Sequence, residues 1–462
     1  MKIHGYHDYK KNFSNEESSN NNQEDEILQL FNDAVDDIYN SIEIQDEDLL
    51  SDSILHMTRL LRDDKNRNEF NKCLDTIDAL KTILSKLLIF DFDSSLSKST
   101  LEMISFLSST NLLQKTEILY QEQYFLYIVN SAIMTKNPYS FIILSNFSLE
   151  CERNAQKCLV FILPHNILNI FYQSAEDDSN QFDTTIQKQK EFYLLSVLSL
   201  LSSYCNYNVD ENLAFEILSC IKDLIFINQN NTTLLTELFY ALSRFRLSCQ
   251  CCIRIANQIN LFECFEKVRF ELNPKFIVTI FQYYGDSIMQ EYEIPELNID
   301  KLINYASNNN KIISGTAIWL IWTYLNGNSK KSIQKFYTSQ FFDLIKSVII
   351  ENERISNTEN AILVLCILIE KADSTQIEFC ATDEIINLIF DFEFIEYDDQ
   401  QIVFHTILAL NRILDYMSVK ANYNFYNFLK SKLKESSHCE LDDEYSQILI
   451  EKCSDIMNCF DE

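Results

Sequence analysis

The chain has 462 residues, with 68 Asp and Glu against 38 Lys and Arg, a net charge of −30, and only 4 Gly and 4 Pro. Glycines this few and this scattered exclude glycine-rich phosphate loops, and hairpin-rich β architectures lack their turn residues. The acidity argues against nucleic-acid backbones and anionic membrane faces as partners, while an apolar content of 47 % allows a large core.

Residues 16–50 contain twelve acids and no Lys or Arg. Such a segment buries too little apolar surface to offset its ordering entropy. Residues 1–25 therefore read as disordered and 26–48 as a weakly helical lead-in, making 1–48 a largely disordered acidic tail. From residue 49 the pattern is helical. Leu50, Ile54, Met57 and Leu61, then Ile77, Leu80, Leu84 and Leu87, each place an apolar stripe on one helix face. Segments 214–227 and 361–369 are apolar nearly all round and must be covered on several sides. Polar breaks at 206–210, 228–233, 307–310 and 326–329 separate the helices, with Asn expected to take the left-handed helix-ending conformation in place of Gly. A longer polar insertion occupies 174–190. Met1–Tyr6 shows no apolar signal segment, and no apolar run approaches the roughly 18 residues of a membrane span. The expected location is cytoplasm and/or nucleus, with the cysteines as thiols.

Several segments share one shape: an apolar helix, a polar turn, a short helix and another apolar helix. Its anchors are Ile104, Leu144, Leu198, Leu242, Ile280, Ile321, Leu365 and Leu410, separated by 40, 54, 44, 38, 41, 44 and 45 residues. The outlier spans the polar insertion. A period near 40–45 is that of armadillo and HEAT arrays, so 49–462 reads as an all-α, right-handed solenoid of about nine repeats.

No motif marks a catalytic site. Cys249, Cys251, Cys252 and Cys264 are the densest thiol cluster, but their spacing fits zinc poorly and reads as buried apolar residues. His56, His165 and His405 have no recognisable nucleophile beside them. The acidic stretch 373–399 reads as a solvated face or a docking surface for a basic partner. A non-catalytic, monomeric protein without metal or cofactor is expected.

Ile142–Ser148 (IILSNFS), Ala317–Gly327 (AIWLIWTYLNG) and Phe239–Phe245 (FYALSRF) resemble the third helix of an armadillo repeat, which often reads A-x-W-A-L-S-N-L. Among armadillo proteins the chain looks most like importin-α. That resemblance implies an adaptor that holds a partner chain in a concave groove, with a role in nuclear protein import, or alternatively an armadillo scaffold with no transport role. In the family, Trp rings in the groove sandwich basic stems and Asn amides four residues on bond the peptide backbone. The matching groove positions here include Tyr240 and Trp319 for Trp, and Asn146, Arg244, Gln282, Thr323 and Arg412 for Asn. One Trp and one Asn survive, in different repeats. Tyr9–Asp25 is similar to the family's importin-β-binding segment, but Ser19–Asn22 stand where that segment carries its arginines. The acidic residues 16–48 are expected either to solubilise the chain or to dock by charge on the Arg-bearing part of the groove.

Overall fold

The computed structural model describes residues 20–70, 76–89, 91, 94–176, 184–268, 273–327, 333–351, 354–391 and 400–420. These residues are helical with no strand. The chain divides into two compact units, Met1–Gln250 and Cys251–Glu462.

The first unit contains α1 (Asn20–Ile44), α2 (Glu47–Arg62), α3 (Asp64–Phe70), α4 (Ile77–Leu87), α5 (Ser95–Ser108), α6 (Asn111–Thr116) and α7 (Glu122–Met134). It continues with α8 (Pro138–Glu150), α9 (Glu152–Leu159), α10 (Pro164–Glu176), α11 (Thr184–Tyr204), α12 (Glu211–Ile227) and α13 (Thr232–Ser248). The second unit contains α14 (Cys252–Gln258), α15 (Phe262–Lys267), α16 (Pro274–Met289), α17 (Ile299–Ala306) and α18 (Lys311–Gly327). Beyond these lie α19 (Ser339–Glu351), α20 (Ile355–Lys371), α21 (Gln376–Cys380), α22 (Asp383–Asp391) and α23 (Gln400–Lys420).

Within the first unit α2, α5, α8, α11 and α13 pack side by side in that order; within the second, α16, α18, α20 and α23 do the same. A further layer lies against them, with α7 on α8, α12 on α13, α17 on α18 and α19 on α20. This succession of helices is consistent with an α-solenoid. All eight anchors lie on the side-by-side helices and are at most 2 % exposed. Each buried Leu or Ile contributes about 1.5–3 kcal/mol. The run Ala361–Ile369 is buried at every position, as its lack of a polar side requires.

The acidic N-terminal stretch differs from its sequence reading. Residues 20–44 form one helix, and Phe31, Ala34, Val35 and Ile38 are at most 1 % exposed. These positions form a 3-1-3 apolar stripe against α2, α3 and α4, while Asp33, Asp36 and Asp37 point to solvent. Acids on one face solvate a helix whose other face is core, so high local charge did not prevent folding. The Phe31 and Phe70 rings stack with centroids 4.3 Å apart. Residues 20–44 thus pack on α2, α3 and α4 through their apolar stripe and do not dock by charge on the Arg-bearing part of the groove; residues 1–19 lie outside the described residues. In the polar insertion, 174–176 and 184–190 belong to α10 and α11, and 177–183 lie outside the described residues. Residues 421–462 do so too.

Asparagine works mainly at helix starts rather than at left-handed ends. Asn137, Asn231, Asn273 and Asn298 cap α8, α13, α16 and α17, each side-chain oxygen accepting a backbone N–H of the first turn. Such caps contribute about 1 kcal/mol each. Among the described residues the left-handed region is taken by Gln45, Glu117, Lys136, Asn260 and Glu291, and by no glycine.

Gly285 and Gly315 instead serve close helix approach. A Cβ at Gly285 would lie 2.3 Å from the Trp319 ring, and one at Gly315 1.8 Å from Asn357 Oδ1. These contacts join α16 to α18 and α18 to α20.

Phe31→Ala is expected to destabilise the first unit by about 3–5 kcal/mol, as for a large aromatic removed from a core. Exposed Asp36→Ala should change stability by no more than about 0.5 kcal/mol. Urea denaturation of both variants checks this, and equal midpoints would place α1 outside the core.

Candidate partner-binding surface

The groove residues read from the sequence fall on the side-by-side helices, but few are brought together. In the first unit, Asn146 on α8 is half-buried, and its Nδ2 donates to Ser108 Oγ on α5 at 2.8 Å. Its amide nitrogen thus ties two helices. On α13, Tyr240 and Arg244 are one turn apart. The Arg244 guanidinium carbon stands 4.3 Å from the Tyr240 ring centroid, a cation–π contact of about 0.5–1 kcal/mol at a partly exposed site. Tyr240 is 41 % exposed.

In the second unit, Gln282 on α16 is half-buried, with Oε1 sequestered and without a hydrogen-bond partner. Trp319 on α18 is half-buried, its ring edge against the Gly285 backbone. Two sequence assignments fail here. Thr323 is 3 % exposed and its hydroxyl donates to the Trp319 carbonyl at 2.9 Å, so it offers nothing to a ligand. Arg412 on α23 is committed to the fold: its Nη2 and Nε donate to the Ala372 carbonyl at 2.8 and 3.3 Å, closing the C-terminus of α20. Both misplacements have one cause. The four-residue offset from the family pattern fixes a helical position, but burial and the reach of a long cation decide what the side chain meets.

Arg412 belongs to a wider device that the sequence did not reveal. The last carbonyls of a helix have no partner inside it. Here a side chain from farther along the chain often supplies one. Tyr207 Oη donates to the Ser148 carbonyl at the end of α8, and Ser248 Oγ to the Cys205 carbonyl after α11. Lys371 Nζ reaches the Leu325 and Asn326 carbonyls at the end of α18. Burial lowers the Lys371 pKa, because desolvation disfavours the charged form.

A second unread feature lies across α2, α5 and α8. Glu102 on α5 accepts from Arg62 Nη2 at 2.7 Å, and Tyr139 at the start of α8 also bonds to it. Burial first, and then the Glu102 charge, push the Tyr139 phenol up to about 12. Nearby aromatic faces carry cations from the chain itself: Lys157 Nζ is 4.0 Å from the Phe125 centroid, and Arg67 stands over Phe106.

The remaining candidates join the packing. Cys252 Sγ lies 3.3 Å from Tyr283 Oη, and Cys264 Sγ contacts the Leu261 carbonyl. His405 Nδ1 is 3.2 Å from Glu370 Oε2, while His56 and His165 are exposed on separate helices. Among the described residues no group of His, Cys, Asp and Glu is placed to hold a metal ion, and no helix is long and apolar enough to cross a membrane.

No protein-family model matches the sequence, and no curated protein does. Among solved structures, the fold is similar to the crystal structure of an engineered protein from the Northeast Structural Genomics Consortium. The TM-score is 0.63 over 93 % of this chain and 98 % of that one, at 10 % identity. At that identity the likeness concerns the fold alone.

Gly285→Ala should displace the Trp319 ring and cost about 1–3 kcal/mol through overpacking. In a Trp322→Phe background Trp319 is the one tryptophan left, and its emission should shift to the red. An unchanged spectrum would mean that α16 moves instead of the ring.

Proposed function

We propose that this chain is a non-catalytic, protein-binding adaptor of the armadillo type, with about nine repeats, acting as a monomer in the cytoplasm and/or nucleus. It holds an extended partner polypeptide along the exposed faces of its side-by-side helices. The observation that carries this reading is the anchor row. Ile104, Leu144, Leu198 and Leu242 in one unit, and Ile280, Ile321, Leu365 and Leu410 in the other, recur at repeat spacing and are buried alike. Helices stacked in this way present successive faces at regular intervals, which suits an extended chain better than a small substrate. The stacked fold shared with a distant engineered protein supports the architecture.

Nuclear import is one role for such an adaptor; a scaffold without a transport role is the other. The geometry favours the scaffold. Thr323 is buried, Arg412 is bonded to a helix end and Trp319 is wedged on Gly285, so the matching positions do not offer a Trp and an Asn side by side to a basic peptide.

Photo-crosslinking residues placed at Tyr240 and at Trp319, followed by mass spectrometry, test the adaptor reading. Specific polypeptide adducts are expected from these positions and not from exposed Met134 on α7. Absence of any polypeptide adduct overturns the reading. Binding of a basic nuclear-localisation peptide and of importin-β to the purified chain would favour the transport role over the scaffold.

A further inference from the structure

We infer that the Tyr240–Arg244 face of α13 binds an acidic polypeptide segment, Arg244 receiving an Asp or Glu carboxylate beside the Tyr240 ring. The inference rests on the partner-binding reading above and names the chemistry of the partner.

Tyr240, Arg244 and Leu247 follow one another at four and three residues, so they form one stripe on α13. Tyr240 is 41 % and Leu247 64 % exposed. The Arg244 guanidinium is held over the Tyr240 ring and pairs with no carboxylate among the described residues. Arg244 is half-buried in a chain with 68 acids. Its N–H donors form a planar fork that matches a carboxylate. The ring contact fixes the stem, so less rotamer freedom is lost when the carboxylate arrives.

Along the sequence the neighbourhood of Arg244 is poor in acid. No Asp or Glu occurs between Glu237 and Glu263. Glu237 itself lies seven residues from Arg244, about 10 Å along the helix. The side-by-side helices are less acidic than the chain as a whole: α2, α5, α8, α11 and α13 hold seven acids and seven cations, and α16, α18, α20 and α23 hold four and five. The rest of the chain carries the negative charge. Since the Debye length is about 8 Å at physiological salt, a short acidic peptide on α13 is screened from most of it. A basic side chain, by contrast, would find the Tyr240 face already taken by Arg244 and would be repelled by it.

The test uses the full chain and three labelled dodecameric probes in fluorescence anisotropy. One probe alternates Asp or Glu with Phe or Leu, one replaces the acids by Lys and Arg, and one is oligo(dT). The acidic probe should bind saturably, more weakly as salt rises, and about tenfold more weakly to Arg244→Gln. Arg244→Lys should fall between the two, and Arg59→Gln, at an exposed arginine of α2, should match the unaltered chain. Equal affinity for Arg244→Gln and the unaltered chain, or preference for the basic probe or the oligonucleotide, overturns this inference and leaves the adaptor reading standing. Absence of polypeptide adducts in the crosslinking experiment overturns the adaptor reading, and this inference with it.

Discussion

A helix that is apolar around most of its circumference must be covered on several sides, and this constraint governs both units. The run Ala361–Ile369 on α20 is its clearest case, with α18 on one flank, α23 on the other and α19 behind. Each covering helix in turn needs cover, so the arrangement propagates. The process ends where a helix has a solvated face. At the N-terminal side α1 supplies one: its Phe31 stripe meets α2, and its aspartates face water. Acid in this chain is less a binding feature than the outer surface of a stack that is nearly all hydrocarbon within.

Packing apolar cylinders side by side leaves their sliding and rotation weakly specified, because one Leu row fits another in several registers. Polar links between successive helices supply the missing specificity. Asn146 to Ser108, Arg62 to Glu102, and the caps from Tyr207, Ser248, Lys371 and Arg412 each connect one defined atom to another. The caps also give partners to carbonyls at helix ends, at about 0.5–1.5 kcal/mol for a neutral donor and about 1.5–3 for a charged one. A chain with four glycines has few of the usual helix-ending motifs, and side chains from elsewhere take over that task.

The succession of packed helices was legible in the sequence because it is written in the most constrained residues, and every anchor chosen by spacing is buried. The fate of α1 was not legible by composition: averaging over 16–50 hides a stripe of four apolar positions among twelve acids. Of the groove positions, the pairing of Tyr240 with Arg244 follows from their four-residue offset on one helix. The roles of Thr323, Gln282 and Arg412 do not, since they depend on how deeply a neighbouring helix covers each position. Trp319 is intermediate; its helix was readable, but its seat on Gly285 needed the approach distance of α16.

The five left-handed residues have a bearing on how the protein tolerates heat. Gln45, Glu117, Lys136 and Glu291 hold a conformation that costs an ordinary side chain about 1–2 kcal/mol. Glycine there would escape that strain and forfeit only about 0.5–1 kcal/mol of chain entropy. All four lie in turns between helices and carry no part of the core. The molecule thus keeps a reserve of unrealised stability in its connections, open to thermostabilising evolution one turn at a time, while every interhelical surface stays as it is.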